Sequence, residues 1–164
     1  MPEPRVRRAR PDEADALTAL AGRSKAHWGY DADFLDRVSD AMRLHADEIG
    51  RHEVWVLESS SGTPIGYHRV IPGEPAELED LWVEPSAIGS GAGRRLLAHA
   101  LEVARTEGAS AIEIDADPHA VGFYERMGAI RIGETPSTLI PGRVLPRMRI
   151  GLSSSRWTDG RIRE

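Results

Sequence analysis

The sequence predicts a single α/β domain with a mixed, mostly antiparallel central sheet of about six to seven strands, flanked by about four helices. Three observations lead there. The chain has 164 residues, 40% of them apolar, enough to bury one core without disulfides or metals. Residues 53–83 hold three short strand-like runs in succession, joined by turns, which favours antiparallel neighbours. In the second half, helix-spaced segments take turns with short strand-like ones, supplying the flanking helices.

The elements follow in order. "PRVRRAR" alternates weakly and reads as a first strand, after which Pro11 opens a helix with Asp12 and Glu13 in the first turn, where acids suit the helix dipole. That helix runs to about Arg23, and Gly29 in "KAHWGY" breaks the pattern. "DADFLDRVSDAMRLH" resumes helical spacing, with Phe34, Leu35, Val38 and Met42 on one side. "EVWVLES", the turn "SSGTP" and "IGYHRVI" form a hairpin, and "AELEDLWV" is a further strand that ends before Pro85. Past a glycine-rich loop, Leu96, Leu97, Ala100, Leu101 and Ala104 recur at helical spacing, opposed by Arg95, His99, Glu102 and Arg105, until Gly108 stops the helix. "SAIEIDAD" is a short strand, "PHAVGFYERMG" a helix opened by Pro118 and closed by Gly128, and "AIRIGE" and "LPRMRIGL" are closing strands around the turn-rich "TPSTLIPGRV". Residues 1–152 thus read as one domain, and 153–164 as a polar C-terminal tail to which no structure is assigned.

Composition removes several function classes. With no cysteine there is no disulfide, no thiolate metal site and no cysteine nucleophile. A net charge of −5 offers no general attraction to nucleic acid, so any anion is recognised locally. The N-terminus lacks an apolar signal core, and "RRLLAHALEVAR" is interrupted by His99 and Glu102, so we expect a soluble cytoplasmic protein without a membrane partner. His45, His52, His68, His99 and His119 show no ligand spacing, and no metal is expected.

The stretch "SAIGSGAGRRLL" carries three glycines in five positions at the entry to a helix. Such a loop offers the unpaired N–H groups of the first turn, and glycine lets an oxyanion approach the backbone without a Cβ in the way. Arg94 and Arg95 in that turn oppose the helix dipole, which is easier to understand if an anion lies between them and the amides. A solvated turn with two surface arginines is the bland alternative. A dinucleotide fold fails on spacing, because "EPSAI" separates Val83 from Gly89 and the third glycine comes two residues after the second. A triphosphate loop would need G-K-[ST], and a serine-hydrolase elbow G-x-S-x-G; Ser90 lies directly between Gly89 and Gly91, and its hydroxyl reads as a loop donor.

Taken together, "LWVEPSAIGSGAGRRLL" and "DADPHAVGFYERMGA" resemble the GNAT superfamily of acetyl-CoA-dependent N-acyltransferases. In that family a strand ends in L-[YW]-V-x-P, a [QR]-x-x-G-x-[GA] loop binds the CoA pyrophosphate, and a later N-x-x-A-x-x-x-Y-E-[KR]-x-G helix completes the site. The element order also agrees, so the resemblance covers nearly the whole chain. It implies a pyrophosphate cradle from the amides of Ile88, Gly89, Ser90, Gly91, Ala92, Gly93 and Arg94, and a pantetheine arm held by the backbone of Leu81, Trp82 and Val83. It also places Tyr124 near the CoA sulfur as the acid for the departing thiolate. Two positions depart from the pattern. Ile88 stands where glutamine or arginine is usual, leaving only the backbone N–H, and Asp117 replaces the asparagine, where its carboxylate can cap the helix at Pro118.

The implied reaction moves an acetyl or related acyl group from acetyl-CoA to an amine of a small molecule or protein, by direct attack in a ternary complex. The rival is a non-catalytic acyl-CoA-binding sensor or interaction domain. Among candidate bases, Glu77 and Glu79 share a face by alternation and Asp80 joins them only if a bulge shifts the register; Glu79, nearer the thioester end, is preferred. The acceptor pocket is expected to form from the helix corner "KAHWGY" with His27, Trp28 and Tyr30, the strand bearing Asp80 and Trp82, and the late loop "TPSTLIPGRV", although Trp28 and Tyr30 also suit simple packing of the helix junction. A homodimer is left open.

Overall fold

Alternating side chains build a sheet with two apolar faces. In a computed structural model that describes residues 3–152 and two short strands at 157–158 and 161–162, the sheet order is β1-β2-β3-β4-β5-β7-β6. Its strands are β1 (Arg5–Arg8), β2 (Glu53–Glu58), β3 (Pro64–Ile71), β4 (Ala76–Val83), β5 (Ala111–Asp115), β6 (Ile130–Pro136) and β7 (Val144–Gly151). Val54, Val56 and Tyr67 pack on one face against Leu17, Leu20 and Ala21 of α1 (Ala14–Ala26). The opposite face, through Val70, Leu78, Ile112, Ile114 and Met148, packs on Leu97, Ala100 and Ala104 of α4 (Ala92–Thr106). The period-2 pattern of each strand is what lets one sheet serve two helical layers.

All pairings are antiparallel except β4 with β5, which run parallel and meet only at Ala76–Ile112 and Glu77–Glu113. Beyond Glu77 the two strands part. From Leu78 to Val83, β4 is paired to β3 on one side and among the described residues to no strand on the other. A β-bulge lies in the same stretch: Arg69 faces Asp80 while Val70 faces Leu78, so Glu79 is the extra residue.

Two expectations need correction. The predicted second helix over 31–45 is shorter, α2 (Ala32–Ser39), capped by the Asp31 side chain accepting from the Phe34 N–H at 2.8 Å. The chain then turns because Leu44 is drawn into the α1 layer, its N–H donating to Thr18 Oγ1 at 3.0 Å. A further helix that periodicity did not suggest, α3 (Ala46–Arg51), starts at once, with Glu48 accepting from the His45 N–H at 2.9 Å. With α5 (Val121–Arg126) there are five helices among the described residues. In the tail, to which the sequence reading assigns no structure, β8 (Trp157–Thr158) pairs with β9 (Arg161–Ile162); the rest of 153–164 lies outside the described residues. No helix among the described residues is long and apolar enough to cross a membrane.

Candidate active site

The parting of β4 from β5 opens a cleft of about 610 Å³ that runs from the glycine loop, past the free edge of β4, to the end of β5. Leu81, Trp82, Val83, Ile88, Gly89, Gly91, Gly93 and Arg94 line one end, and Glu79, Asp115, Asp117, Trp28, His119 and Tyr124 the other. A strand edge with unpaired N–H and C=O groups is a template for an extended polar ligand.

The glycine loop enters α4 as an anion cradle does. Gly89 and Gly91 have φ of +86° and +91°, values disfavoured for side-chain-bearing residues, and a Cβ added at either would meet nothing within 4 Å. Gly91 is the residue before α4, so the first-turn N–H groups point out of the helix end. Among the described residues the amides of Gly89, Gly91, Ala92, Gly93 and Arg94 have no backbone acceptor. Two expected cradle members are spent inside the loop: the Ile88 N–H donates to the Pro85 carbonyl and the Ser90 N–H to Ala87, each at 3.2 Å. The Ser90 hydroxyl also donates to the Ala87 carbonyl, at 2.5 Å. The two arginines separate as well. Arg94 lines the cleft, whereas Arg95 Nη2 donates to the Pro4 carbonyl and ties α4 to the start of the chain.

Tyr124 and Glu79 face the same cleft. α5 presents the Tyr124 ring, 6% exposed, and no side-chain hydrogen bond engages its hydroxyl among the described residues. Burial, with the charges of Asp117 and Asp80 adding to it, pushes the phenol well above its ordinary pKa, so it stays a proton donor. The bulge turns Glu79 into the opening with its side chain 44% exposed, and burial followed by the charge of Asp80 raises its carboxyl above the usual range. Asp80 behaves differently. Its side chain is 11% exposed, held by Arg69 Nε at 2.7 Å and by the Trp82 indole N–H at 3.1 Å, and it stands behind the cleft wall rather than in it. Arg69 also reaches Glu48 at 2.5 Å and Glu79 at 3.8 Å, which links the bulge to α3.

The far end of the cleft is organised around Asp117. Its carboxylate caps the turn at Pro118 by accepting from the His119 N–H at 2.9 Å, as the sequence suggests. It also accepts from Lys25 Nζ at 2.5 Å and from the Tyr30 hydroxyl at 2.9 Å, while Arg143 Nη2 lies 3.4 Å away and donates to the Tyr30 hydroxyl at 2.9 Å. These partners hold the Asp117 carboxyl below its ordinary pKa against the cost of burial. Trp28 lines the cleft, 39% exposed and stacked on His119 at 5.4 Å between centroids. His27 packs edge-on against Trp28 on the outside, and Tyr30, stacked on Phe34 at 4.0 Å, braces Asp117 rather than lining the cleft. The helix-junction reading, made for Trp28 and Tyr30, therefore describes Tyr30, whereas Trp28 lines the cleft.

The structure brings Tyr124, Glu79, Asp117, Trp28 and the glycine loop into one cleft and leaves His27, Tyr30, Ser90 and Asp80 outside its lining. Lys25 and Arg143 fall in the "KAHWGY" corner and the late loop expected here, although neither residue was singled out, and His119 was not expected at this end. Nothing in the spacing of residues 25, 117 and 143 announces that they meet.

The comparisons with known proteins agree with this geometry. Residues 21–129 match the model of the Acetyltransferase (GNAT) family. A relative from Salmonella typhimurium, described as peptidyl-lysine N-acetyltransferase YjaB, is 31% identical over 127 residues, covering 75% of this chain and 81% of that protein. In fold, a GCN5-related N-acetyltransferase from Rhodopseudomonas palustris superposes with a TM-score of 0.79 at 20% identity, over 93% of this chain and 98% of that one. The PaiA N-acetyltransferase from Thermoplasma acidophilum, solved in complex with coenzyme A, does so with a TM-score of 0.75 at 16% identity, over 92% and 99%.

Proposed function

The chain belongs to the acetyltransferase (GNAT) family and moves an acetyl group from acetyl-CoA to an amine, and we propose that the cleft between β4 and β5 is where it does so. The observation that carries this reading is convergence: free first-turn amides, an unpaired strand edge and a buried phenol meet in one opening. Acetyl-CoA supplies the activated acetyl thioester. The chain's own groups then have distinct tasks.

The amides of Gly89, Gly91, Ala92, Gly93 and Arg94, with the Arg94 side chain beside them, hold the pyrophosphate. Backbone groups of Leu81, Trp82 and Val83 receive the pantetheine arm as an added strand and so align the thioester carbonyl with the open edge of β4. Tyr124, kept protonated by its burial, gives its proton to the departing thiolate. Glu79 takes the proton from the amine, directly or through water; its raised pKa brings it closer to neutral, where a carboxylate is a better base. The amine enters beside Trp28 and His119, where Glu79 also offers a cation its counter-charge. A lysine side chain is slender enough for that entry, and the Salmonella relative carries peptidyl-lysine in its name.

Free thiol release from acetyl-CoA, measured against a panel of lysine peptides, polyamines and arylamines, tests the reading. Turnover should fall on the order of 10²-fold or more in Tyr124→Phe. If wild type releases thiol with none of these amines while still binding CoA, the chain is a sensor and the catalytic roles are withdrawn.

A further inference from the structure

α1 turns one stripe of side chains towards the sheet. Leu17, Ala21 and Ser24 recur at steps of four and three and so share a face, and Leu17 and Ala21 are buried in the layer over Val54, Val56 and Tyr67. Ser24 is 5% exposed, and it stands where this stripe reaches the cleft, which it lines together with Trp28, four positions on. A hydroxyl in such a place needs a partner. Thr18 shows one solution on the same helix: its Oγ1 donates to the Ala14 carbonyl at 2.8 Å and accepts from the Leu44 N–H at 3.0 Å. No hydrogen bond engages the Ser24 hydroxyl among the described residues. A buried polar group left without a partner costs stability that an alanine here would not, so the group that completes Ser24 comes from the cleft. Two neighbours fix the end of the cleft to which it belongs. Trp28, one turn away on the same face, lines the end with Glu79, and Lys25, the next residue, is paired there to Asp117.

We infer that Ser24 is the hydrogen-bond acceptor for the attacking amine and selects primary over secondary amines. A neutral primary amine has two N–H groups and one lone pair. With the lone pair directed at the thioester carbonyl carbon, one N–H is left for Glu79 to deprotonate and the other for Ser24 Oγ, which fixes the amine's rotation about its C–N bond. As the new N–C bond forms, the nitrogen becomes positive and its N–H groups become stronger donors, so the bond to Ser24 tightens in the transition state. Ser24 itself takes no proton. Glu79 receives one, the amide nitrogen keeps the other, and sulfur leaves with the electrons of the C–S bond and the proton of Tyr124; proton exchange with water then resets Glu79 and Tyr124. A secondary amine has a single N–H, which Glu79 must remove, and it leaves Ser24 unpaired.

This role rests on the cleft being the site of transfer, and one set of measurements separates the two. Thiol release from acetyl-CoA is followed for full-length wild type and Ser24→Ala, with a short lysine peptide and with the same peptide carrying Nε-methyl-lysine; urea denaturation of both proteins runs in parallel. In Ser24→Ala, kcat/KM for the lysine peptide should fall about 10-fold, while kcat/KM for the methylated peptide and KM for acetyl-CoA stay as in wild type. The urea midpoint should be unchanged or higher, because no hydrogen bond within the protein is lost. Equal losses for the two peptides overturn the assignment, since the hydroxyl then acts without regard to the second N–H. A raised KM for acetyl-CoA with the peptide kinetics intact also overturns it, and gives Ser24 to the cofactor. A lower urea midpoint with unchanged kinetics makes the hydroxyl structural and overturns it too. Wild type that binds CoA yet releases no thiol with the lysine peptide overturns instead the acceptor reading on which the role rests.

Discussion

Acid should destabilise this protein in part through one buried histidine. His68 on β3 is fully buried, its Nε2 2.9 Å from His99 Nδ1 on α4, and its own Nδ1 has no hydrogen-bond partner among the described residues. Burial and the neighbouring His99 push its pKa down to about 3, from an ordinary 6.5. The folded state therefore binds the proton later than the unfolded chain does. Stability from this group is fully present above pH 6.5 and drains away as pH falls towards 3. At pH 5 the unfolded histidine is almost wholly protonated and the folded one almost wholly neutral, so folding loses about 2 kcal/mol relative to pH 7.

Urea denaturation followed by tryptophan fluorescence at pH 7 and pH 5 measures that loss, and His68→Leu supplies the control. Leucine fits an apolar position of similar size and cannot titrate, while the carboxylates elsewhere titrate in both proteins. The acid loss in wild type should exceed that in the variant by about 2 kcal/mol, with unchanged m-values. Equal losses in the two proteins would refute the assignment to His68.

Two further outcomes follow from the geometry. A Cβ at Gly66 would lie 2.7 Å from Leu96 Cδ1 and 2.9 Å from the Trp82 carbonyl oxygen, so Gly66→Ala should cost about 1–3 kcal/mol in urea denaturation and, by moving the free edge of β4, raise KM for acetyl-CoA. Glu79→Gln should lower kcat on the order of 10²-fold and abolish the acid limb of the pH–rate profile, a limb that in wild type is displaced upward from the ordinary carboxylate range by burial and the charge of Asp80; an unchanged limb would place the base elsewhere.

What the sequence disclosed and what it hid have different physical sources. Local rules carried the strands and α4, because Val54 and Val56, or Leu97, Ala100 and Ala104, repeat at the spacing of the face they bury. The glycine loop was legible because backbone access to an anion demands glycine at particular positions, whereas Tyr124 was nominated only by the family resemblance. Non-local pairing was not. Leu44 leaves the helical pattern for a bond to Thr18, twenty-six positions away, and the periodicity of Phe34, Leu35, Val38 and Met42 holds no trace of it. Lys25, Asp117 and Arg143 meet only after β5 and β7 are placed side by side, so a charge pattern along the chain cannot bring them together. The diversion of Arg95 to Pro4 is of the same kind.

The bulge at Glu79 joins the legible and the hidden parts of the site. With strict alternation Glu77, Glu79 and Leu81 would share one face and Asp80 would lie opposite. The extra residue reverses the second half of β4, so that Asp80 and Trp82 pair across Arg69 and Tyr67 towards α1 while Leu81 turns to the α4 side. Bulges increase local twist and interrupt pairing. Here the parallel ladder with β5 stops at Glu77, two residues before the bulge. A single irregularity thus accounts for three features that the proposed mechanism uses together: a strand edge free for an extended ligand, a carboxylate turned into the opening, and a second carboxylate, Asp80, buried close enough to raise the first one's pKa. Arg69, reaching Glu48, Glu79 and Asp80, holds the irregularity in place from α3. The carboxylate proposed as the base is consequently placed by the register of a strand and by an arginine outside the cleft lining, which is why residue type at position 79 alone could nominate it but could not place it.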